Sequence, residues 1–273
     1  KPWRATASSA TVSVPCPVGF VAAPGRSGAF CVAQFEMKDV DGHAVSQAAG
    51  EPIHDVTRDG ALARCAALGP GFHLISNDEW QDVAHDIESV ADNWSSGIVG
   101  QGVLAVGNVS HEVGAADPSD PCVTPGFLPR FPHCAVRGND EFIRRRTHTL
   151  STGGVVWDMG GNYQEWTSTP TSLASTSSHA PDGIRGAVCD ATGDVRAAFG
   201  PAGKYRCGFA PDPFLLGCLE GAGGTAVIRG GNHDMEGTPW DACPGIFYAN
   251  TNKFWKPSTS VGPAFRCAFT PPR

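Results

Sequence analysis

Ten cysteines are present, yet no two of them form a Cys-x-x-Cys pair. That absence argues against zinc ribbons and thioredoxin-like redox centres, which need closely spaced thiols. The nine histidines form no cluster, and His111-Glu112 lacks the second histidine of a zinc-protease helix. Gly-x-Ser-x-Gly and phosphate-loop motifs are missing. Charge is sparse, at 17% of residues, and the net value is −7. The longest basic run is Arg144-Arg145-Arg146, which reads as a solvated or ion-paired segment. A nucleic acid or an anionic membrane needs a clustered positive field, so neither partner is expected. No stretch reaches the ~20 apolar residues of a membrane span. No internal repeat is evident. The sequence opens at Lys1 without an initiator Met or a signal peptide, which reads as a processed protein or an excised fragment.

What is present suits one sizeable domain. Apolar residues make up 41% of 273, while 34 glycines and 22 prolines call for many turns. An even number of dispersed cysteines predicts five disulfides and an oxidising compartment, meaning secreted, periplasmic or cell surface. Spacing does not fix their connectivity. Cys16–Cys31, Cys122–Cys134 and Cys207–Cys218 are the expected local staples.

Residues 1–15 lack apolar periodicity and read as a linker or stalk end, leaving 16–273 as the domain. A strand is expected from Phe30 to Met37, and a polar loop from Asp39 to Gly50. A helix should follow Thr57, a good N-cap, because Ala61, Leu62, Cys65 and Leu68 share one face. A second helix is expected near 77–91. Ser76 and Glu79 make its capping box, and Trp80, Val83, Ala84, Ile87 and Val90 make its apolar stripe. Residues 92–147 read as irregular, with sequons at Asn93 and Asn108 that matter only in a glycosylating host. Residues 167–226 read as a Ser/Thr- and Gly-rich insertion pinned by disulfides.

The stretch Asp158-Met159-Gly160-Gly161-Asn162-Tyr163-Gln164-Glu165-Trp166 follows the apolar run Gly154 to Trp157. Paired glycines let the backbone turn, and two carboxylates bracket the turn. Carboxylates beside free carbonyls suit a hard cation such as calcium, which takes oxygen ligands. Trp157 and Trp166 can anchor the turn in a core.

Three phrases occur in order: Gly160 to Trp166, then Val227-Ile228-Arg229-Gly230-Gly231-Asn232, then Gly262-Pro263-Ala264-Phe265-Arg266-Cys267-Ala268. Together they resemble the formylglycine-generating enzyme, or sulfatase-modifying-factor, family, whose phrases are similar to "GNVWEW", "LRGGSW" and "GFRCA". Phe30 to Met37 resembles that family's opening strand, and Leu74 to Trp80 its "LPTEAEW" helix start. The resemblance spans roughly 30–269. It implies an α+β, C-type-lectin-like fold. It also implies a Cys65–Cys267 disulfide, which leaves Cys189–Cys243 as the remaining pair; closing the 65–267 loop constrains the unfolded chain by roughly 4–5 kcal/mol on the chain-entropy model. Finally, it implies a structural calcium ion held by the side chains of Asp158 and Glu165 and the carbonyls of Gly161 and Tyr163.

The family's catalytic chemistry does not carry over. Its copper-binding cysteine pair follows the "RGGSW" phrase, and the matching region here, His233 to Ala249, holds Cys243 alone. The expected function is therefore an extracellular binding module of the adhesin or fibre-tip kind. Its face would be residues 232–257, where Trp240, Phe247, Tyr248, Phe254 and Trp255 interleave with polar groups. Aromatic faces and planar hydrogen-bonding groups are what sugars need. The candidate contacts are Asn232, His233, Asp234, Trp240, Asp241, Tyr248, Asn250, Asn252 and Trp255, with Trp240 and Trp255 as stacking platforms. The same segment resembles the hypervariable tail of retroelement-diversified variable proteins. The expected partner is a cell-surface glycan or protein receptor, bound by a homotrimer. The alternative is a copper oxidase of the formylglycine-generating type acting on cysteine-containing peptides.

Overall fold

The computed structural model describes residues 15–108, 113–122, 133–138, 140–170, 186–187, 193–203, 218–220, 223–231, 245–252 and 262–271. Strands β1 (Phe20–Ala23) and β2 (Phe30–Ala33) form an antiparallel hairpin. Strand β14 (Cys267–Phe269) pairs with β2 on one side and with β5 (Phe72–Leu74) on the other, giving the order β1-β2-β14-β5. The larger sheet is built from β8 (Glu165–Trp166), β9 (Gly186–Ala187), β10 (Cys218–Glu220), β11 (Gly223–Arg229), β12 (Ala249–Asn252) and β13 (Ala264–Phe265). Its order is β13-β8-β11-β12-β10-β9, and only the β13–β8 and β10–β12 pairs are parallel. Two ribbons, β3 (Met37–Val40) with β4 (His43–Ser46) and β6 (Thr147–Thr149) with β7 (Val155–Trp157), complete the sheets. The chain is a mixed α+β protein of small, mostly antiparallel sheets and few helices.

Two expectations about the first strands are corrected. The single strand over 30–37 is two, because the backbone leaves the ladder between them. Gln34 N donates to Gly19 O, Phe35 N donates to Ser46 Oγ, and Gln34 O accepts from Trp157 N. The polar loop over 39–50 contains β4. Asp41 and Gly42, at φ 52° and 83°, make the two-residue turn with left-handed central residues that an antiparallel hairpin favours.

Helix α1 (Arg58–Ala66) starts where Thr57 Oγ1 accepts from Gly60 N, as expected of that N-cap. Helix α2 (Asn77–Ser89) carries both halves of the capping box between Ser76 and Glu79. Four residues of its expected stripe are core: Trp80, Val83, Ala84 and Ile87 are buried with Phe30, Val32, Val227, Phe247 and Ala249, while Val90 is the extended C-cap and only half-buried. Burying a side chain such as Ile87 stabilises by roughly 1.5–3 kcal/mol. Trp80 also donates from Nε1 to Ile246 O at 2.8 Å, so its replacement by Ala would lose packing and one of the hydrogen bonds to that carbonyl.

A polar stripe at Asn77, Gln81, His85 and Glu88 runs beside the apolar one. It meets the end of helix α3 (Gly193–Phe199), which lies in the region read as an irregular insertion. Asn77 Nδ2 donates to Ala198 O, Gln81 Nε2 to Gly200 O, and Ala202 N to Glu88 Oε1. Asn77 and Gln81 thus occupy carbonyls at and just past the last turn of the helix, and Glu88 takes up an amide beyond it.

The disulfides Cys16–Cys31, Cys65–Cys267 and Cys122–Cys134 are present. The pairings expected at Cys207–Cys218 and Cys189–Cys243, and the linker before Pro15, lie outside the described residues or side chains.

Candidate functional site

Strand β7 delivers the chain into the turn at 158–165. Asp158 and Asn162 take left-handed backbone at φ 53° and 57°. A side chain at Gly161 would place its Cβ 2.3 Å from Asn108 O, so only glycine lets these two segments touch. Asn162 then fastens the turn. Its Oδ1 accepts from Asn108 Nδ2 and Gly114 N, both at 3.1 Å, and its Nδ2 donates to Glu36 Oε2. The other oxygen of Glu36 accepts from Tyr163 N at 3.2 Å.

Around the turn lies a buried charge cluster. Arg146 donates to both oxygens of Asp158 at 2.7 Å, and Arg266 to both oxygens of Glu165 at 2.8 and 3.2 Å. Lys38 Nζ stands 4.0 Å from Glu36 Oε2. Glu36, Asp158 and Glu165 are three acids, and Lys38, Arg146 and Arg266 are three bases, all of them buried. Burial pushes Glu36 up, partly opposed by Lys38, and pushes Lys38 down. Burial likewise raises Glu165 against the pull of Arg266. Burial alone would lower Arg146, but the attraction of Asp158 outweighs it and the group rises.

The cluster bears on calcium. Asp158, Gly161, Tyr163 and Glu165 are gathered in one turn. The two carboxylates expected to hold the ion each already face a guanidinium, and the cluster is formally neutral. These residues therefore fit a closed set of ion pairs better than a site short of positive charge. A calcium ion here would have to share those oxygens with the arginines.

Tyr163 reaches the half-exposed rim. Its hydroxyl donates to Glu51 Oε1 at 3.0 Å, and its ring stacks on His54 at 5.0 Å between centroids. Burial and then Glu51 raise this phenol. His54 Nδ1 lies 2.8 Å from Asp55 Oδ2, and Asp55 Oδ1 accepts from Gly262 N.

Of the residues expected to contact a ligand, Asn232, His233, Asp234, Trp240, Asp241 and Trp255 lie outside the described residues, and Asn252 ends β12. Tyr248 and Asn250 are buried rather than displayed. Asn250 Nδ2 and Gln164 Nε2 both donate to the Tyr248 hydroxyl at 3.3 Å. Phe247 belongs to the core. Arg229, from the second motif, is buried with no acidic partner among the described residues. Its guanidinium donates to Asn77 Oδ1, Gln81 Oε1 and Ile246 O, and burial lowers it to about 9.

The sequence reading missed Glu36, Lys38, Arg146, Gln164 and Arg266 as parts of the site. The signal for Glu36 was a carboxylate inside the apolar run Phe35-Glu36-Met37. Nothing distinguished Arg146 from the two arginines before it.

Comparison with protein-family models and with curated proteins gives no match.

Proposed function

We propose that the chain is an extracellular binding module of C-type-lectin-like fold, an adhesin or fibre-tip domain that holds a cell-surface glycan or receptor through residues 232–257 without turning it over. The observation that carries this reading is the polar face of the larger sheet. Ala249 lies in the main apolar cluster, and strand alternation sends its neighbours Tyr248 and Asn250 to the opposite face, where Gln164 joins them. A sheet face lined with buried amide and phenol groups suits hydroxyl-bearing partners. The three disulfides suit an oxidising compartment. No helix among the described residues is long and apolar enough to cross a membrane.

A single sugar site is weak, so several copies held together, here a homotrimer, would raise avidity. The test is an array of cell-surface glycans probed with an oligomeric parent and with a Trp240→Ala, Trp255→Ala variant. Binding by the parent that the variant loses supports the reading. Absence of binding, or binding that survives both changes, rules out this face. Copper-dependent oxidation of a cysteine-containing peptide would put the oxidase reading in its place.

The structural calcium ion is a separate proposal. It would sit at Asp158, Gly161, Tyr163 and Glu165, its carboxylates shared with Arg146 and Arg266, and chelation would lower the Tm. An unchanged Tm means that the arginines hold the turn alone.

A further inference from the structure

Gln164 sits between Tyr163 and Glu165 in the central motif, and Ala264 N donates to its backbone oxygen at 2.7 Å. The backbone is thus fixed by β13, while the side chain is free to serve the other face. Register shows where it goes. Arg229 pairs with Glu165 on one side and with Ala249 on the other. Gln164 precedes Glu165, Gly230 follows Arg229 and Tyr248 precedes Ala249, so the three stand just past the paired ends of three neighbouring strands. The middle member has no side chain, and the two outer side chains meet at 3.3 Å.

The Gln164 amide is only half used. Its Nε2 donates to the Tyr248 hydroxyl, while its Oε1 is buried with no hydrogen-bond partner among the described residues. Gln164 as a whole is 6% exposed. A buried amide oxygen without a donor is costly, and Leu or Met would fill the same volume without that cost. A half-satisfied amide is therefore unfavourable in the free protein and becomes favourable once a donor arrives.

We propose that Gln164 is a ligand-contacting residue whose amide oxygen accepts a hydrogen bond from a ligand hydroxyl, with Tyr248 as the residue that positions the amide. The proposal rests on the binding reading above and names the chemistry that its inner end selects. A carboxylate offers no donor to this oxygen. An ammonium ion would enter a buried site with no acid paired to it among the described residues. A hydroxyl both donates and accepts, so it can satisfy the amide oxygen and take a bond from a neighbouring group. A polyol such as a sugar ring meets these terms.

The test uses the full chain as an oligomer, on the glycan array and then by isothermal titration with the free glycan bound best. Gln164→Leu should weaken binding roughly tenfold or more, the effect of stranding one hydroxyl, with the Tm unchanged or raised. Among singly deoxygenated versions of that glycan, one should bind the parent roughly tenfold more weakly than the intact glycan does, yet bind Gln164→Leu no more weakly. Equal binding by parent and Gln164→Leu overturns the role of Gln164 and leaves the binding module standing. No binding by the parent overturns both. Should Gln164→Leu fail to fold, the side-chain amide resonances of Gln164 in the parent decide. A shift on adding the glycan supports the contact, and unmoved resonances overturn it.

Discussion

Arg146 and Asp158 meet through two hydrogen bonds of 2.7 Å with both side chains buried. Removing one partner strands the other in a low-dielectric interior, whereas removing both strands neither. Asp158→Ala should therefore destabilise by about 3–5 kcal/mol, and Arg146→Met with Asp158→Leu should recover much of that loss. Urea denaturation of the parent and the two variants checks this. A double variant no better than the single one would show that the two residues do not act as a pair.

Glu88 supplies a pH dependence. Burial raises its carboxyl from 4.5 to about 8, opposed by the bond from Ala202 N and by Arg196. The folded state thus holds a proton that the unfolded chain has released between those values. The stability from this group is complete below about pH 4.5 and is lost as pH rises towards 8. Within that window Glu88→Gln should remove a slope of about 1.4 kcal/mol per pH unit. Parallel stability curves for parent and variant from pH 5.5 to 7.5 would contradict this.

Both sequons are closed by the fold. Asn93 Nδ2 donates to Ile87 O and Thr149 O, and Asn108 Nδ2 donates to Asn162 Oδ1. A glycan needs that nitrogen. Folded protein secreted from a glycosylating host should carry no sugar at either position, as read by intact mass. An occupied Asn93 or Asn108 in a protein with the parent's Tm would be the contrary result.

Cys65 and Cys267 are 202 residues apart, and Cys122 and Cys134 are 12 apart. Paired Cys→Ala changes should cost about 5 kcal/mol at the first bridge and about 3 at the second on the chain-entropy model. Denaturation midpoints of the two variants give the order. A larger loss at the short loop would point to native-state contacts instead.

The sequence was most legible where local chemistry and burial agree. Thr57 and Ser76 cap helices because their oxygens satisfy nearby amides, a rule that operates within three residues. The stripe from Trp80 to Ile87 predicted its own burial. Legibility failed where partners come from afar. Arg146 and Asp158 are 12 residues apart, and Arg266 and Glu165 are 101 apart, so nothing local marked those charges as paired. The turn at Asp41-Gly42 was readable in principle. Its strands are short and carry Lys38, Asp39 and His43, so apolar alternation did not announce them. At the candidate site, the sequence offered Tyr248 and Asn250 as contacts without marking their burial, which depends on what the opposite strand brings.

Strand β14 (Cys267–Phe269) lies between β2 (Phe30–Ala33) and β5 (Phe72–Leu74), yet it is made long after both of them. During synthesis the smaller sheet has an empty central lane until the ribosome has released Cys267 to Phe269. The thiol of Cys65 must wait for its partner over the same interval, exposed to every cysteine made in between. Such a chain cannot mature from its first half onwards. It has to be kept from premature pairing until the last strand arrives, and its folding should be slow and dependent on disulfide exchange.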